Sequence, residues 1–562
     1  MIHRRVPALL ASAILFAASA SAFSQCEPST CAGTLADAQR DPILKAMLDE
    51  MDRSKSGLEL KGFQKPYFLE YRIEDVDVFR THAEFGASEG SSRTHERVAR
   101  VTVRVGDYKT DSSGSRGDGQ LEFAALGDDP IAVRSALWAA TDLAYKIALD
   151  AYARKQAELK QVQTPPQADD FSHEKPVIAL AAPASLNVDE AAWTQRVATD
   201  SGLYRTDPAV SASAQNVQYS LASFEARATT TWIVNSEGTI VRKSASICQE
   251  SFGVGAQAAD GMHLDRSYGT SGLSVADLDS PEAFRKHAVA LIASLADLRK
   301  APLVEEEYHG PLLLSADAGT DILRSQLGGG LGAARPSLGT EARTTGPFAS
   351  SYHTRVLPDF MDAVDDPSLK SWDGHSLLGA YAIDDEGVPA QPVKLVDAGR
   401  LLNYLIGREP VRDFPQSNGH ARASLTGPPH PVLGVLKITA QNGLSDDELE
   451  SKLLALMKDR GVDSAYYVET MGSGLTPRLL YRVTADGKRQ LVRGAVLDDL
   501  DQRALRSSIE AAGKDLWVGN YPGEIPETVL APALLLNDAT VKRANEKNEK
   551  LPFYPPPGDS DQ

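Results

Sequence analysis

A short run of strictly alternating side chains is the strongest constraint that this sequence places on its fold. From Ala99 to Val105 every second residue is Ala or Val, and the residues between them are Arg or Thr. Side chains alternate between the two faces of a β-strand, so this run predicts a strand with one buried face. Residues 67–85 have a similar character, and both segments are expected in an antiparallel sheet.

A helical period replaces the alternation from Asp129 onwards. Apolar residues then recur along one helix face, and the helix runs into an exposed loop at about residues 163–176, which contains two adjacent prolines. Further strands are predicted at residues 216–234 and 239–252, and a helix begins at Ser280. The residues expected on one side of the long helix are Ile131, Leu137, Leu143, Ile147 and Ala151.

The C-terminal half is rich in strand patterns, with one well-marked helix among them. Ser445 and Glu448 form a capping box at the start of that helix, and Gly461 ends it. The predicted fold class is α+β, with an N-terminal α/β region of antiparallel sheet and long helices and a strand-rich C-terminal domain. That second domain is expected to be barrel-like or an open sheet. A meander is expected at residues 380–383, 393–396 and 401–406.

These patterns divide the chain into five parts. The main boundary is placed near Pro302, where the second long helix ends. The last part contains several prolines and is expected to lie over the surface as an extended strap. The parts are a signal peptide (1–22), an N-terminal segment (23–64), an α+β domain (65–300), a β-rich domain (301–530) and a Pro-rich tail (531–562).

The first residues are typical of an export signal. Arg4 and Arg5 give a basic start, an apolar run of about a dozen residues follows, and small residues at 20–22 offer a cleavage site. The apolar run is too short to span a bilayer, and no later stretch is long and apolar enough. We therefore expect a periplasmic or secreted protein without a transmembrane helix. A lipoprotein anchored through Cys26 is less favoured, because residues 23–25 match a lipoprotein cleavage site poorly.

Cysteine content and charge narrow the chemistry further. The three cysteines are Cys26, Cys31 and Cys248. Cys26 and Cys31 are candidates for a local disulfide in an oxidising compartment, whereas Cys248 is expected to be a buried thiol in a strand. The formal net charge of −18 repels phosphate backbones, which argues against a nucleic-acid partner.

Two glycine-rich segments resemble catalytic or cofactor motifs but lack the required context. Residues 86–90 match the G-x-S-x-G pattern of hydrolases, yet a strand follows them where that motif needs a helix. Residues 328–333 resemble a dinucleotide-binding fingerprint, yet they follow a predicted helix and run into Pro336. The first segment is therefore interpreted as a loop between strands and the second as a flexible linker.

Two polar groupings remain as candidate sites. Asp317 and Asp321 are four residues apart and would share one helix face. Asn418, His420 and Arg422 lie in a dense polar loop, where His and Arg could bind a carboxylate or a peptide carbonyl. A turn held by its own hydrogen bonds explains that loop at least as well.

Several segments, taken in order, resemble the TldD/PmbA (TldE) family of metallopeptidase-related proteins. The resemblance covers roughly residues 67–517, and the order of the motifs is more specific than any one of them. The segments that carry it are residues 235–238 (NSEG), 384–391 (DDEGVPAQ), 397–401 (DAGRL), 417–422 (SNGHAR) and 492–495 (VRGA).

The resemblance also indicates which branch of the family is closer. TldD-type subunits are zinc peptidases with a His-Glu-x-x-x-His motif and a distant Cys ligand; TldE/PmbA-type subunits lack it, pair with them and help enclose a channel for unfolded peptides. Here residues 316–321 stand in the motif's place, no histidine occurs among them, and no cysteine follows Cys248. The degenerate zinc-motif positions are Ala316, Asp317 and Asp321. The resemblance thus implies no metal, no cofactor and no catalytic residue.

Three hypotheses follow. The first is a zinc-free peptide-binding or partner subunit, which pairs with an exported TldD-like catalytic paralogue or with itself, and uses Asn418, His420 and Arg422 to bind. The second is an active metal-dependent peptidase with an unusual carboxylate site, built from Asp317, Asp321 and a histidine. The third is a structural envelope protein. The histidines considered for the second are His309, His375 and His420.

Overall fold

The computed structural model describes residues 32–114, 119–545 and 549. The predicted signal peptide, Cys26, Cys31 and the proline-rich end of the chain lie outside these residues. The helices are α1 (Leu35–Ala38), α2 (Pro42–Gly57), α3 (Pro130–Leu159), α4 (Glu190–Ser201), α5 (Leu203–Thr206), α6 (Pro281–Leu298), α7 (Ala316–Gln326), α8 (Asp446–Arg460) and α9 (Gln502–Ser507).

The described chain also contains 22 strands. In the N-terminal region these are β1 (Pro66–Glu84), β2 (Ala87–Val105), β3 (Gln120–Phe123), β4 (Ile178–Leu180), β5 (Val217–Asn235), β6 (Ile240–Gln257) and β7 (His263–Gly272). In the C-terminal region they are β8 (Tyr308–Leu314), β9 (Met361–Asp365), β10 (Ser371–Trp372), β11 (His375–Ser376), β12 (Val393–Asp397), β13 (Arg400–Leu401), β14 (Ala421–Arg422), β15 (His430–Pro431), β16 (Val435–Ala440), β17 (Ser464–Met471), β18 (Pro477–Thr484), β19 (Arg489–Val492), β20 (Ala495–Asp498), β21 (Ile509–Tyr521) and β22 (Glu527–Arg543).

The N-terminal sheet is built from two long hairpins. Its order is β3-β2-β1-β5-β6-β4, with β7 also paired to β6, and only β4 runs parallel to its neighbour. The first hairpin turns at Phe85 and Gly86, both with positive φ. The second hairpin turns after Asn235. The side-chain oxygen of Asn235 accepts hydrogen bonds from the backbone N–H groups of residues 237–239 in this turn. Of the G-x-S-x-G segment only Gly86 lies in the turn of the first hairpin, and residues 87–90 already belong to β2. The predicted loop between strands is therefore shorter than expected, and a strand follows the segment, as predicted.

Helices cover one face of this sheet and leave the other face to the C-terminal domain. Alternate strand residues such as Tyr71 and Val103 pack against α2 and α3, and Phe224 packs against α4 and α6. The N-cap of α3 is Asp129, as predicted, but the buried stripe differs. Ile131 and Leu143 are 68% and 45% exposed, because small residues such as Ala140, Ala144 and Ala148 allow closer packing on the neighbouring face.

The C-terminal domain is centred on an 11-stranded sheet. Its main path is β13-β12-β9-β16-β22-β8-β17-β18-β19, and β20 and β21 also pair with β22. Within the described residues the sheet does not close into a barrel, so the open-sheet alternative is correct and the α+β class is confirmed. The capping box at Ser445 and the left-handed Gly461 frame α8 as the sequence predicts.

Several predicted boundaries are wrong. Residues 531–543 are not part of a surface tail but the larger part of β22, where Leu534 and Leu535 are fully buried between β21 and β8. Pro532 is tolerated because the register with β21 is irregular beside it. In the expected meander only β12 and β13 form, and residues 380–383 lie outside any strand.

Two segments expected to be exposed or flexible are packed instead. Within residues 163–176, Asp170, Phe171 and Ser172 are buried, and the Phe171 ring lies 4.8 Å from that of Phe68. Residues Gly328–Gly330 form a 3-10 helix rather than a flexible linker, with Gly328 close to leucine side chains of the core. Apolar contacts from distant strands, which the local sequence does not reveal, account for both.

Two further observations concern Cys248 and membrane insertion. Cys248 is a free, buried thiol in β6, as predicted, and burial raises its pKa to about 12. Among the helices of the described residues, none combines the length and apolarity needed to span a bilayer.

Candidate functional site

The helix-free face of the N-terminal sheet carries rows of side chains from four adjacent strands. In one row Val76 on β1 is paired with Glu96 on β2 and Thr229 on β5, and Thr229 is paired with Ala245 on β6. Since every second side chain of a strand points to the same face, neighbouring rows add further residues to this surface. Those residues are Glu74, Val78, Arg80, Thr94, Arg227, Thr231, Lys243 and Ile247.

Loops of the C-terminal domain roof part of this face and enclose a cavity. The roof is formed by residues 378–385, 422–425 and 524–526. The cavity has a volume of about 330 Å³. Ligand pockets commonly measure about 300–1,000 Å³, so this one suits a small molecule or a short segment of chain. We call it the interdomain cavity.

A cluster of ionic groups lies where the sheet meets the roof. Lys243 Nζ is 2.5 Å from Asp385 Oδ1 and donates to the Ile383 carbonyl at 3.0 Å. Asp385 Oδ2 accepts from the Ala423 backbone N–H at 2.8 Å. Burial alone would raise the pKa of Asp385, but the nearby cations, Lys243 foremost, outweigh it and hold that pKa well below its usual range. Burial lowers the pKa of Lys243. This pair ties the sheet to the roof.

Glu74 is the cavity group best placed to change its protonation state near neutral pH. It is buried on β1, and its Oε1 is 3.5 Å from Arg72 Nε. Burial raises the pKa of Glu74 to about 7, with a further contribution from Asp385, while Arg72 and Lys243 oppose the rise. A carboxyl with this pKa exchanges a proton easily at physiological pH.

Two arginines border the cavity without a close carboxylate hydrogen bond. Arg422 stacks over the Tyr381 ring at 4.3 Å, its side chain is 14% exposed, and its Nε is 3.4 Å from Asp385 Oδ2. Within the described residues, Nε and Nη1 of Arg422 have no hydrogen-bond partner. Arg227 donates to the Gly523 carbonyl at 2.6 Å. These guanidinium groups give the cavity donors suited to an anion.

The structure separates the three residues of the predicted polar loop. Asn418 Oδ1 accepts from the Ile406 N–H at 2.8 Å, and its Nδ2 donates to the Tyr404 carbonyl at 2.9 Å. His420 is fully buried, with Nδ1 3.0 Å from the Asn418 carbonyl oxygen and Nε2 3.3 Å from Asp365 Oδ1. Only Arg422 borders the interdomain cavity. Asn418 and His420 therefore hold the loop together beneath the site.

His420→Ala is expected to lower the free energy of unfolding by about 1–3 kcal/mol, because it leaves the buried Asp365 and Asn418 with fewer polar partners. Urea denaturation would measure this loss. The matched control is His375→Ala, which removes an exposed imidazole on β11 and should change stability by less than about 0.5 kcal/mol. A stable His420→Ala protein that had lost ligand binding would instead make His420 a binding residue.

The helix in the place of the zinc motif does not offer a zinc-binding set. Asp317 and Asp321 share a face of α7, and Asp321 Oδ1 accepts from the Tyr521 hydroxyl at 2.7 Å. Burial and Asp321 together raise the pKa of Asp317 to about 6. Across the described residues, no three His, Cys, Asp or Glu side chains are grouped to hold a metal. Two carboxylates without imidazole or thiolate fit zinc poorly.

The histidines proposed for a carboxylate site are located elsewhere in the fold. His309 Nε2 is 3.0 Å from Glu307, and His375 is exposed on β11. His420 is buried beside Asp365, as described above. The structure brings none of them into a metal-binding group with Asp317 and Asp321 within the described part of the chain.

Sequence reasoning missed the cavity's other charged residues. Glu74 and Lys243 sit in strands whose polar face was expected to meet water, so nothing local distinguishes them. Asp385 was quoted only as part of a family motif. A usable signal was the run of three acidic residues at 384–386, whose mutual repulsion indicates nearby cations from other segments.

Comparison with known proteins agrees with this architecture. The model of the PmbA/TldA metallopeptidase C-terminal domain matches residues 307–543. None of the curated proteins matches the sequence. TldE from Thermococcus kodakarensis has a similar structure, with 13% sequence identity, coverage of 88% of this chain and 99% of that chain, and a TM-score of 0.60.

Two other crystal structures have the same fold. One, described as a modulator of a DNA gyrase from Thermotoga maritima, is 14% identical, covers 88% of this chain and 100% of its own, and has a TM-score of 0.57. Another so described, from Bacteroides thetaiotaomicron, is 11% identical, with coverage of 89% and 98% and a TM-score of 0.57. At these identities the structural likeness shows the fold alone. Together with the domain match, it confirms the resemblance found in the sequence: residues 307–543 match the C-terminal domain of the PmbA/TldA metallopeptidases, and the chain is similar in fold to TldE.

Proposed function

We propose that this protein is an exported, zinc-free member of its family that binds short peptide segments in the interdomain cavity. It acts as the peptide-binding or partner subunit of a proteolytic complex and is not catalytic alone. The observation that carries the proposal is the roofed sheet face, a preformed cavity of about 330 Å³ with mixed lining.

The lining suits a peptide better than a purely apolar or purely ionic ligand. Val76, Val78 and Ile247 offer apolar contacts, whereas Thr229 and Thr231 place hydroxyl groups on the same face. Hydroxyls can both donate to and accept from a peptide backbone, independently of the peptide's sequence. The volume admits a chain end or a few residues and excludes a folded domain.

The side chains that α7 offers as metal ligands support the proposal that this protein has no zinc chemistry of its own. Asp321 is already hydrogen-bonded to Tyr521, and within the described residues neither an imidazole nor a thiolate joins Asp317 in a metal-binding group. Purified protein is expected to contain far less than one zinc per chain and to show no chelator-sensitive cleavage of casein-like peptides. Stoichiometric zinc together with such cleavage would instead support the second hypothesis, an active metal-dependent peptidase.

The partner must share the compartment of this chain. With the predicted signal peptide, that compartment is the periplasm or the exterior, and the partner is an exported TldD-like catalytic paralogue or a second copy of this chain. Affinity purification from a native envelope fraction, followed by mass spectrometry, should recover a paralogue with HExxxH. Recovery only as a homo-oligomer, with no such paralogue encoded nearby, would count heavily against the role of partner subunit, and a monomer recovered alone would contradict it.

Ala245→Trp is expected to weaken peptide binding at least about tenfold, because the indole occupies the space that the peptide needs. Ala245 is exposed on the sheet face beneath the roof, so the larger side chain should not disturb the core. Fluorescence anisotropy with a labelled mixture of short peptides would measure the affinity. The control is Ala87→Trp, at an exposed position of β2 outside the cavity. Equal binding by Ala245→Trp and the wild type would contradict the proposed site.

A further inference from the structure

We propose that the interdomain cavity holds its peptide by a carboxylate, which the guanidinium of Arg422 binds. This inference rests on the proposed function and names the chemical group that the site recognises. The carboxylate can be the C-terminus of the peptide or an acidic side chain, and the experiment below distinguishes these two sources.

The pairing of the cavity's cations leaves Arg422 and Arg227 the least neutralised, and of these two Arg422 lies beside the ionic cluster of Lys243 and Asp385. Arg80 pairs with Glu225 at 2.7 Å, and Lys243 pairs with Asp385 at 2.5 Å. Arg242 also forms an ion pair, with Asp41. Arg422 shares Asp385 with Lys243, at a longer distance and without a hydrogen bond. A further anion would therefore be attracted to Arg422 before the other three.

The hydrogen-bonding state of Arg422 supports the same ligand. Buried N–H groups of a charged side chain are costly when they lack acceptors, and two nitrogens of Arg422 lack them among the described residues. The planar guanidinium fork matches a carboxylate through two parallel hydrogen bonds. The Tyr381 ring holds the fork from one side at 4.3 Å, which limits its rotation towards other partners.

Repulsion from the acidic lining groups does not prevent anion binding. Asp385 is neutralised by Lys243, and Glu96 and Glu524 are exposed to solvent, which screens them. Glu74 faces Arg72 on its own strand, Lys243 on β6, and Asp385 and Arg422 on the roof. Because burial raises the pKa of Glu74 to about 7, a ligand anion beside Arg422 can be accompanied by proton uptake at Glu74.

Arg227 adds a second anchor further along the same surface. Arg227 and Thr231 are four residues apart on one face of β5, which corresponds to about 13 Å. Thr231 is paired with Lys243, so Arg227 lies about that far from the ionic cluster at the roof. An extended peptide with its carboxylate at Arg422 would pass Arg227 within about four residues.

The test uses three versions of one labelled short peptide with the full mature protein. One has a free C-terminus and no acidic side chain, one is the same peptide amidated, and one is amidated with a single internal Glu. At least one carboxylate-bearing peptide should bind about 10-fold to 100-fold more tightly than the acid-free amide. If only the first peptide binds more tightly than the acid-free amide, the recognised carboxylate is the C-terminus. If only the third peptide does, the recognised carboxylate is an acidic side chain.

Arg422→Gln should remove this preference, and Arg422→Lys should retain part of it because the charge remains without the fork. The matched control is Arg343→Gln, since Arg343 also stacks on a tyrosine, Tyr352 at 4.2 Å, and pairs with Asp413 at 2.7 Å, outside the interdomain cavity. Arg343→Gln should leave the preference unchanged.

Wild-type affinity for the carboxylate peptides should also rise as the pH falls from 8 to 6, and Glu74→Gln should flatten that profile.

Two failures are distinguishable. If all three peptides bind equally well and Ala245→Trp weakens all of them, the carboxylate inference is overturned while peptide binding in the cavity stands. If Ala245→Trp weakens none of them, the proposed function fails as well. A carboxylate preference that survives in a folded Arg422→Gln protein, with unchanged urea denaturation, would overturn the assignment to Arg422.

Discussion

Arg408→Ala is expected to lower the free energy of unfolding by about 3–5 kcal/mol, the range typical of a buried ion pair that loses one partner. The Arg408 side chain is 1% exposed, and its Nη1 lies 2.8 Å from Glu237 Oε2. Nη2 donates to Glu237 Oε1 at 2.9 Å and to the Ser172 carbonyl at 2.6 Å. The truncation therefore leaves Glu237 buried without its counter-ion, at the junction of the two domains.

Urea denaturation followed by circular dichroism would measure this loss. Arg503→Ala serves as the control, because Arg503 is 82% exposed and its pair with Asp501 should contribute about 0–1 kcal/mol. In a double-mutant cycle, Arg408→Ala and Glu237→Ala together should cost much less than the sum of the single changes. Additive effects, or a loss below about 1 kcal/mol for Arg408→Ala, would contradict its role in joining the domains.

Glu70→Gln is expected to stabilise the protein at pH 8 and to leave its stability nearly unchanged at pH 4.5. Burial raises the pKa of Glu70 from 4.5 to about 7, against the attraction of Arg408, Arg72 and Arg104. Between those two values the folded state binds more protons than the unfolded state, so the free energy of unfolding falls as the pH rises through them. Gln stays neutral and escapes this loss, which amounts to at most about 3 kcal/mol at pH 8.

Denaturation curves at several pH values between 4.5 and 8 would reveal the difference between Glu70→Gln and the wild type. Glu59→Gln is the control, since it removes a carboxylate that is 55% exposed and should change stability by less than about 0.5 kcal/mol. A stabilisation by Glu70→Gln that is equal at pH 4.5 and pH 8 would show that the carboxyl's ionisation is not its cause. Destabilisation at pH 8 would mean that the ionised Glu70 is favourable beside the arginines.

The sequence predicted best those features that depend on local interactions. The helices that were predicted to begin at Asp129, Ser280 and Ser445 do begin there, and each of these residues is the N-cap, because a cap involves only the next three or four residues. The continuation of β22 into the supposed tail was missed because Pro532 is a local signal against strands, whereas its tolerance depends on the irregular register with β21. Pairing with strands that are distant in the sequence determines that these residues form a strand.

The candidate site was predictable only in part. Arg422 was singled out from a dense polar loop, but the same density also reflects Asn418 and His420, which hold the loop together by hydrogen bonds. Glu74, Lys243 and Asp385 come from three distant segments and acquire their shared environment only when the roof covers the sheet face. Their burial and their contacts with one another, which together shift their pKa values, cannot be read from strand periodicity.

Photo-crosslinking tests peptide binding in the interdomain cavity most directly. A short peptide that carries a benzophenone side chain would be irradiated with the mature protein, and the adducts would be mapped by mass spectrometry. Adducts are expected on the cavity lining, at Val76, Thr229 or Ala245, and they should disappear in Ala245→Trp and in the presence of excess unlabelled peptide. Adducts confined to α7 or to the exposed Lys514, Asp515 and Trp517 of β21, with none on the cavity lining, would contradict peptide binding in the cavity.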